Sequence, residues 1–205
     1  MLVVLVVGGI AFVRWRDGHG SDRTTDATPT PVPSSVTPTP PATSGTRPAG
    51  VPVGVPATAQ RLTVAFTRDG DTIEANAVSA AAPIATTDRI VIRLLGIDAP
   101  EIIGATGKPQ CYARDAYMAL QHLVPNASTI WVIADKQLRD QYQRYLLYVW
   151  NAKGAFVNLE LATDGYARAL SIKPNLAYQS MIDKAVATAT AARRGRWGIC
   201  VTKPK

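Results

Sequence analysis

The sequence predicts a mainly β fold with helices (α+β), in which a five-stranded barrel of the OB type is packed with three helices. Three observations lead to this prediction. Five short segments show the apolar alternation or apolar runs of strands, three others have apolar residues at helical spacing, and the helices are inserted late in the chain. This order is typical of a small antiparallel barrel with packed helices.

Turn signals bound the predicted strands. The first two strands are joined through Asp69-Gly70, a pair that favours a tight hairpin, and Gly96 could seat a bulge in the third. The predicted strands are 61–67, 72–78, 89–97, 129–134 and 144–150.

The predicted helices end at proline or glycine. Pro125 stops the first, Gly165 the second and Gly195 the third, while Asn175 is placed to cap the third at its start. The predicted helices are 110–124, 155–163 and 175–192.

Composition divides the chain of 205 residues into three parts. An apolar run opens the chain, and its length suits a signal-peptide core better than a full membrane span, so we expect residues 1–20 to be a hydrophobic N-terminal anchor or signal remnant. Residues 21–60 are rich in Pro and Thr and are expected to form a disordered linker. Residues 61–205 are expected to fold.

These features predict export. The protein would be secreted, or anchored on the outer face of the cell membrane through its N-terminal segment, with the linker holding the domain away from the surface. A mis-assigned start, which would make the first apolar residues meaningless, is the alternative.

The chain is basic, with 22 Lys and Arg against 15 Asp and Glu and a net charge of +7. Most of this excess belongs to residues 61–205, which would attract polyanions with an affinity that falls as salt rises. The two Cys and two His residues exclude a Cys-rich or His-rich metal site.

Three polar motifs lie at the ends of predicted strands. DGDT (69–72) places two carboxylates two residues apart, so both can face one ligand, although a plain Asp-Gly turn explains it better when taken alone. RLLGIDAPE (93–101) gathers an arginine, an aspartate and a glutamate, or is simply a polar strand end. DQYQR (140–144) adds a second arginine, which alone would indicate surface decoration.

Together, DGDT, RLLGIDAPE, DQYQRYLLYV and FVNLELATDGYARA resemble the thermonuclease family, the staphylococcal-nuclease-like domain. The resemblance runs in order from about Arg61 to Cys200. It implies an OB barrel with three helices and Ca²⁺-dependent hydrolysis of DNA and RNA phosphodiester bonds. Residues 61–205 would then be a staphylococcal-nuclease-like OB-fold domain.

Matched position by position, the resemblance implies a calcium site. The carboxylates of Asp71 and Asp98 would be ligands, and the backbone carbonyl of Ala99 would add a third oxygen. Calcium takes about six to eight oxygens, which leaves room for water and a phosphate oxygen. Glu101 would be the general base that accepts a proton from the attacking water.

The resemblance also implies a phosphate site. Arg93 and Arg144 would bind the scissile phosphate, for which a planar and always-charged guanidinium is well suited. Tyr142 matches a tyrosine that lies near the nucleotide phosphate in the family.

Three residues depart from the family pattern. Gln143 stands where the family usually has Gly, which would alter the loop that aims Arg144. Leu170 and Ile172 stand where the staphylococcal type has two base-stacking tyrosines. A stacked base contributes about 1–3 kcal/mol, so we expect a different substrate affinity or base preference.

Exported relatives often join a cysteine pair placed like Cys111 and Cys200, so the resemblance implies a disulfide between them. Two free thiols are the alternative. A disulfide would imply an oxidising compartment.

The predicted function is therefore that of a monomeric, Ca²⁺-dependent endonuclease acting on DNA, RNA or both. One alternative is a non-catalytic nucleic-acid-binding OB-fold module at the cell surface. Another is a surface interaction protein whose basic face binds anionic wall polymers. Five retained residues argue against both alternatives: Asp71, Arg93, Asp98, Glu101 and Arg144.

Overall fold

We describe residues 49–200 in a computed structural model of the chain. The expectations for residues 1–48, the N-terminal segment and most of the linker, lie outside the described residues. In the described range, no helix is both long and apolar enough to cross a membrane.

The strands are β1 (Gln60–Asp69), β2 (Thr72–Ala77), β3 (Arg89–Leu94), β4 (Gly96–Asp98), β5 (Thr129–Arg139), β6 (Tyr145–Asn151) and β7 (Arg168–Leu170). Five of them close a barrel in the order β1, β2, β3, β6, β5, which confirms the predicted five-stranded OB-type barrel. Neighbouring strands are antiparallel except β3 and β6, which run parallel. The expected antiparallel pairing is wrong for that pair. A parallel pair cannot be joined by a tight hairpin, and the connection from β3 to β6 contains α1 and β5.

A small second sheet pairs β4 with β7 and sets Asp98 opposite Arg168. The sequence predicted one continuous strand over 89–97, but the chain breaks after β3, where Gly96 has a φ of 81°. Glycine adopts this left-handed conformation readily because it has no Cβ. β7 was not predicted, since three residues are too few to show an alternating pattern.

The three predicted helices are present as α1 (Ala113–Leu123), α2 (Val157–Thr163) and α3 (Gln179–Ala191), and a short α4 (Arg196–Ile199) follows. The prediction that Asn175 caps the third helix is wrong, because α3 begins only at Gln179. The Asn175 side chain instead accepts from the backbone N–H of Gln137 at 2.7 Å and donates to the carbonyl of Gln137 at 2.9 Å. It therefore ties the loop before α3 to β5.

The hydrophobic core fills the barrel and continues between the barrel and the helices. β6 is buried along its whole length, and Tyr148 and Trp150 are fully buried. Phe156 and Tyr178 pack against both of these rings. This rigid core supports the strand ends that carry the polar motifs.

Residues 49–60 fell within the predicted linker, yet part of this segment packs with the domain. Val55 is buried in the core, and Gln60 is the first residue of β1. The Gln60 amide donates to the carbonyls of Ser79 and Ile84 at 3.0 and 3.1 Å and accepts from the N–H of Ile84 at 3.0 Å. The folded domain therefore begins upstream of residue 61.

Cys111 and Cys200 are joined in a disulfide, with their Cα atoms 5.8 Å apart. The bond connects the segment before α1 to the end of α4, across 89 positions of sequence. A disulfide stabilises mainly by restricting the unfolded chain, typically by about 2–4 kcal/mol.

Candidate active site

The turn between β1 and β2 positions Asp71. Gly70 allows a close approach here, because a Cβ at this position would lie 2.7 Å from the Cβ of Ala99 and 2.8 Å from that of Ala116. The buried Asp71 carboxylate accepts from the Thr72 hydroxyl at 2.9 Å and from the backbone N–H of Ala99 at 2.8 Å. The contact with Ala99 joins this turn to the loop after β4.

Arg93, near the end of β3, connects the two predicted calcium ligands. Its side chain is 6% exposed, and its Nη2 lies 3.0 Å from Asp71 Oδ2 and 3.0 Å from Asp98 Oδ1. Its Nη1 donates to the carbonyls of Leu94 at 2.7 Å and Ile97 at 2.8 Å. The guanidinium is thus held in one orientation, with both aspartates brought to it.

Arg168 is a site residue that the sequence analysis missed. Its Nε donates to Asp98 Oδ2 at 2.7 Å, so both oxygens of Asp98 accept from an arginine. No local signal points to Arg168, because it lies 70 positions from Asp98 in sequence and meets it through the pairing of β4 with β7.

Glu101 lies in the exposed loop after β4, and the pKa of its carboxyl is raised to about 7. The largest cause is a hydrogen bond with Asp69. Partial burial and the negative charges of Asp69, Asp71 and Asp98 raise this pKa further. A carboxyl group with a pKa near neutrality suits a general base that works at neutral pH.

Asp69 was noted in the DGDT motif as a carboxylate able to face the same ligand as Asp71, but its interaction with Glu101 was not predicted. Its Oδ1 accepts from the backbone N–H of Gly70 at 2.9 Å and of Ile102 at 3.3 Å, which fixes the carboxylate beside Glu101. No local pattern indicates this interaction, because Glu101 lies in the loop after β4, far from Asp69 in the sequence. Burial is also the main reason that the pKa of Asp71 is raised, and it outweighs the opposing charge of Arg93.

Arg144 is positioned by Asp140. Its Nε donates to Asp140 Oδ2 at 2.7 Å, and Asp140 Oδ1 accepts from the backbone N–H groups of Tyr142 and Arg144, each at 2.9 Å. Tyr142 is 70% exposed, and the guanidinium carbon of Arg144 lies 5.4 Å from the centre of its ring. The loop thus fixes both the backbone and the Nε of Arg144.

Gln143 adopts a left-handed conformation with a φ of 63°, which agrees with the expectation that glycine is the usual residue at this position. Its N–H donates to the carbonyl of Asp140 at 3.1 Å, so the tight turn forms despite the side chain. The departure from the family pattern is therefore accommodated by backbone strain rather than by opening the turn.

Replacing Gln143 by Gly is expected to raise the free energy of unfolding by about 0.5–1 kcal/mol. The change relieves about 1–2 kcal/mol of left-handed strain, partly offset by the greater freedom of glycine in the unfolded chain, about 0.4–1 kcal/mol. Urea denaturation measures it. Gln141→Gly, in the same turn but without a positive φ, should instead destabilise, and equal effects of the two variants would contradict the prediction.

A cleft of about 580 Å³ gathers Glu101, Tyr142 and Arg144 on one surface. Its lining consists of Arg68, Asp69, Thr72, Val91, Glu101, Ile102, Ile103, Tyr142 and Arg144. Tyr142 is the aromatic side chain of this lining. Leu170 and Ile172, which stand where the staphylococcal type has tyrosines, do not line the cleft. The disulfide between Cys111 and Cys200 does not line this cleft.

The available donors fit a hard divalent cation. Asp71 and Asp98 supply carboxylate oxygens and Ala99 a backbone carbonyl, which are the kinds of ligand that calcium takes. The negative charges that raise the pKa of Glu101 would be offset by such a cation. Within residues 49–200, no group of three or more His, Cys, Asp or Glu side chains is arranged to hold a metal, so water or substrate oxygens would have to complete the shell.

The barrel and its cluster of carboxylates and arginines define an OB-fold domain with a site suited to phosphate chemistry. The family model described as "Staphylococcal nuclease homologue" matches residues 91–198, more than half of the chain, and the chain belongs to this family. The match contains Arg93, Asp98, Glu101 and Arg144, whereas Asp71 lies upstream of it.

The chain is similar to curated thermonucleases of two staphylococci. It is 34% identical to the thermonuclease of Staphylococcus hyicus over 106 residues and 31% identical to that of Staphylococcus intermedius over 106 residues. Each match covers 52% of this chain and 62% of the relative. The chain thus spans less than two thirds of the length of these curated relatives.

Proposed function

We propose that this protein is a Ca²⁺-dependent endonuclease that hydrolyses phosphodiester bonds of DNA, RNA or both. The observation that carries the proposal is the pairing, in one cleft, of Arg144 with Glu101, whose pKa is raised to about 7. The similarity of the chain to two curated thermonucleases supports it.

Asp71, Asp98 and the carbonyl of Ala99 are the proposed calcium ligands. Each carboxylate oxygen has two acceptor positions, so the contacts with Arg93 leave lone pairs on both aspartates. Bound calcium would supply neutralisation of phosphate charge and polarisation of its oxygens. Arg93 holds the two carboxylates in a fixed relation, which is a positioning role in addition to its proposed contact with the scissile phosphate.

Glu101 is proposed to accept the proton of the attacking water. At a pKa of about 7, a substantial fraction of the carboxyl is ionised at neutral pH and able to do so. In the metal-free chain the ionised fraction grows as pH rises through 7. Bound calcium would offset the neighbouring negative charges, so the rise of the rate on the acidic side of the pH profile should lie at lower pH.

Arg144 is proposed to bind the phosphate as negative charge develops on its oxygens. Because Nε is occupied by Asp140, the contact would be made through the two terminal nitrogens. A guanidinium presents these as a planar pair matched to two phosphate oxygens.

Cleavage of denatured DNA by the full chain is expected in calcium and is expected to stop when a chelator is added. Arg144→Gln should lower kcat by about 10²–10³, the loss typical of one donor to a developing oxyanion. Arg114→Gln removes the same charge from an exposed position on α1 and should have little effect.

Cleavage that survives the chelator would contradict the calcium requirement. Equal rates for the two arginine variants would contradict the role of Arg144. Binding without any cleavage would favour the alternative of a non-catalytic nucleic-acid-binding module.

A further inference from the structure

A second cavity, of about 460 Å³, adjoins the cleft at Glu101, which lines both. It is surrounded mainly by charged and polar residues: Asp98, Ala99, Glu101, Gln110, Arg168 and Arg196. Tyr142 and Arg144 line the cleft but not this cavity. The cavity therefore extends the proposed substrate path from Glu101 in another direction.

Two arginines, Arg168 and Arg196, supply the positive charges of this cavity, and two carboxyl groups, Asp98 and Glu101, line it with them. Arg168 uses Nε on Asp98, which leaves its terminal nitrogens as further donors. The guanidinium carbon of Arg196 lies 5.2 Å from the ring centre of Trp197, and none of the ion pairs found in residues 49–200 includes Arg196. Burial and the nearby charge of Arg168 lower the pKa of Arg196, and the charge of Asp98 opposes this shift, as expected for two like charges held close together beside one carboxylate.

Covalent and backbone contacts hold Arg196 in the cavity wall. Its N–H donates to the carbonyl of Gly165 at 3.0 Å, and its own carbonyl accepts from the N–H of Cys200 at 2.8 Å. Cys200 is bonded to Cys111, which follows Gln110, another residue of the lining. The disulfide therefore links two parts of the wall and fixes the backbone from which the Arg196 side chain extends, which lowers the cost of ordering this wall around a ligand.

We propose that Arg168 and Arg196 form a second phosphate subsite, which binds a phosphate of the substrate strand adjacent to the scissile one. The proposal rests on the proposed function and deepens it, because it makes a polynucleotide a better substrate than a compound with one phosphodiester. A phosphate here would give Arg196 an ion-pair contact, which Asp98 in the same lining does not make with it. The two positive charges would also offset the repulsion of this phosphate by Glu101.

Binding tests the subsite without cleavage. The full chain carrying Glu101→Gln is titrated, over a range of salt, against a fluorescent single-stranded oligodeoxythymidylate followed by anisotropy. Adding Arg196→Gln is expected to weaken binding about tenfold, as for the loss of one charged hydrogen bond, and to reduce the salt slope by about 0.7. Arg194→Gln removes the same charge from an exposed residue outside the cavity and should change little.

Cleavage supplies an independent readout. We compare kcat/KM for the oligonucleotide with that for thymidylyl-thymidine, which has one phosphodiester. Arg196→Gln should lower the ratio of the two about tenfold, and Arg196→Lys should restore part of it, since lysine keeps the charge but not the paired donors.

The two proposals fail in different ways. If Arg196→Gln behaves like Arg194→Gln in both measurements, the second subsite is overturned while the nuclease proposal stands. If the wild-type chain cleaves neither substrate, the nuclease proposal is overturned, and the binding measurement alone decides the subsite.

Discussion

Arg93→Met is expected to lower the free energy of unfolding by about 3–5 kcal/mol at neutral pH. Breaking a buried ion pair by removing one partner has an effect of this size, because the other charge stays buried without compensation. Here one guanidinium serves two carboxylates, Asp71 and Asp98, and two backbone carbonyls. Methionine fills much of the volume of the side chain but supplies none of these donors.

The decrease in the free energy of unfolding caused by Arg93→Met should become smaller as pH falls. Burial already raises the pKa of Asp71, and Arg93 opposes this rise, so the variant should have a higher pKa at Asp71 than the wild type. A carboxyl whose folded pKa lies above its unfolded pKa destabilises the fold increasingly as pH rises between the two values. Below both values Asp71 is neutral and needs no cation.

Urea denaturation in the presence of chelator, at neutral and at acidic pH, measures both expectations. Arg168→Met is the matched control, because it also removes an arginine from Asp98 but from an exposed pair, for which about 0–1 kcal/mol is typical. Equal losses for Arg93→Met and Arg168→Met, or a loss that does not depend on pH, would contradict the structural role assigned to Arg93.

The arginines of the site also show which contacts could be predicted from the sequence. Arg93 and Asp98 lie in one short motif, so their proximity follows from a single strand end. Arg168 and Arg196 are brought to Asp98 and Glu101 by strand pairing and by the packing of the C-terminal segment, which no local pattern encodes. The family resemblance pointed to the motif residues but gave no role to these two.

The fold also contains features that local sequence patterns predict and features that only tertiary packing determines. The β1–β2 hairpin and the barrel strands were predictable because alternation and an Asp-Gly turn are local signals. Asn175 suits a helix cap by residue type alone, yet its contacts are with Gln137 on β5, and tertiary packing decided its role. Val51, Val53 and Val55 alternate with Pro52 and Gly54, but proline and glycine are typical of a linker, so the burial of Val55 was not inferred from this pattern.

Glu101→Gln is expected to lower kcat by about 10²–10⁴, the usual contribution of a general base, and yet to stabilise the fold at neutral pH. Glutamine keeps the shape of the side chain but cannot accept the proton of the attacking water. It also removes a negative charge from the neighbourhood of Asp69, Asp71 and Asp98, whose repulsion helps to raise the pKa of Glu101.

The pH dependence of the stability gain follows from that pKa. The pKa of Glu101 rises from 4.5 to about 7 on folding, so the protonated form is favoured in the folded state. The contribution of the Glu101 carboxyl to the free energy of unfolding of the wild type is fully present below pH 4.5. This contribution is lost as pH rises through about 7. The glutamine variant should therefore match the wild type at acidic pH and exceed it increasingly toward pH 8, when both are measured without metal.

Asp69→Asn separates the effect of a raised pKa at Glu101 from the presence of its carboxyl group. It weakens the largest cause of the raised pKa while leaving the Glu101 carboxyl in place, so the acidic limb of the pH–rate profile should move to lower pH without the large loss of kcat. Thermal unfolding in chelator and pH–rate profiles in calcium measure both variants.

A Glu101→Gln variant that is fully active, or one that is less stable than the wild type at pH 8, would show that Glu101 is held for a structural reason and that another group accepts the proton.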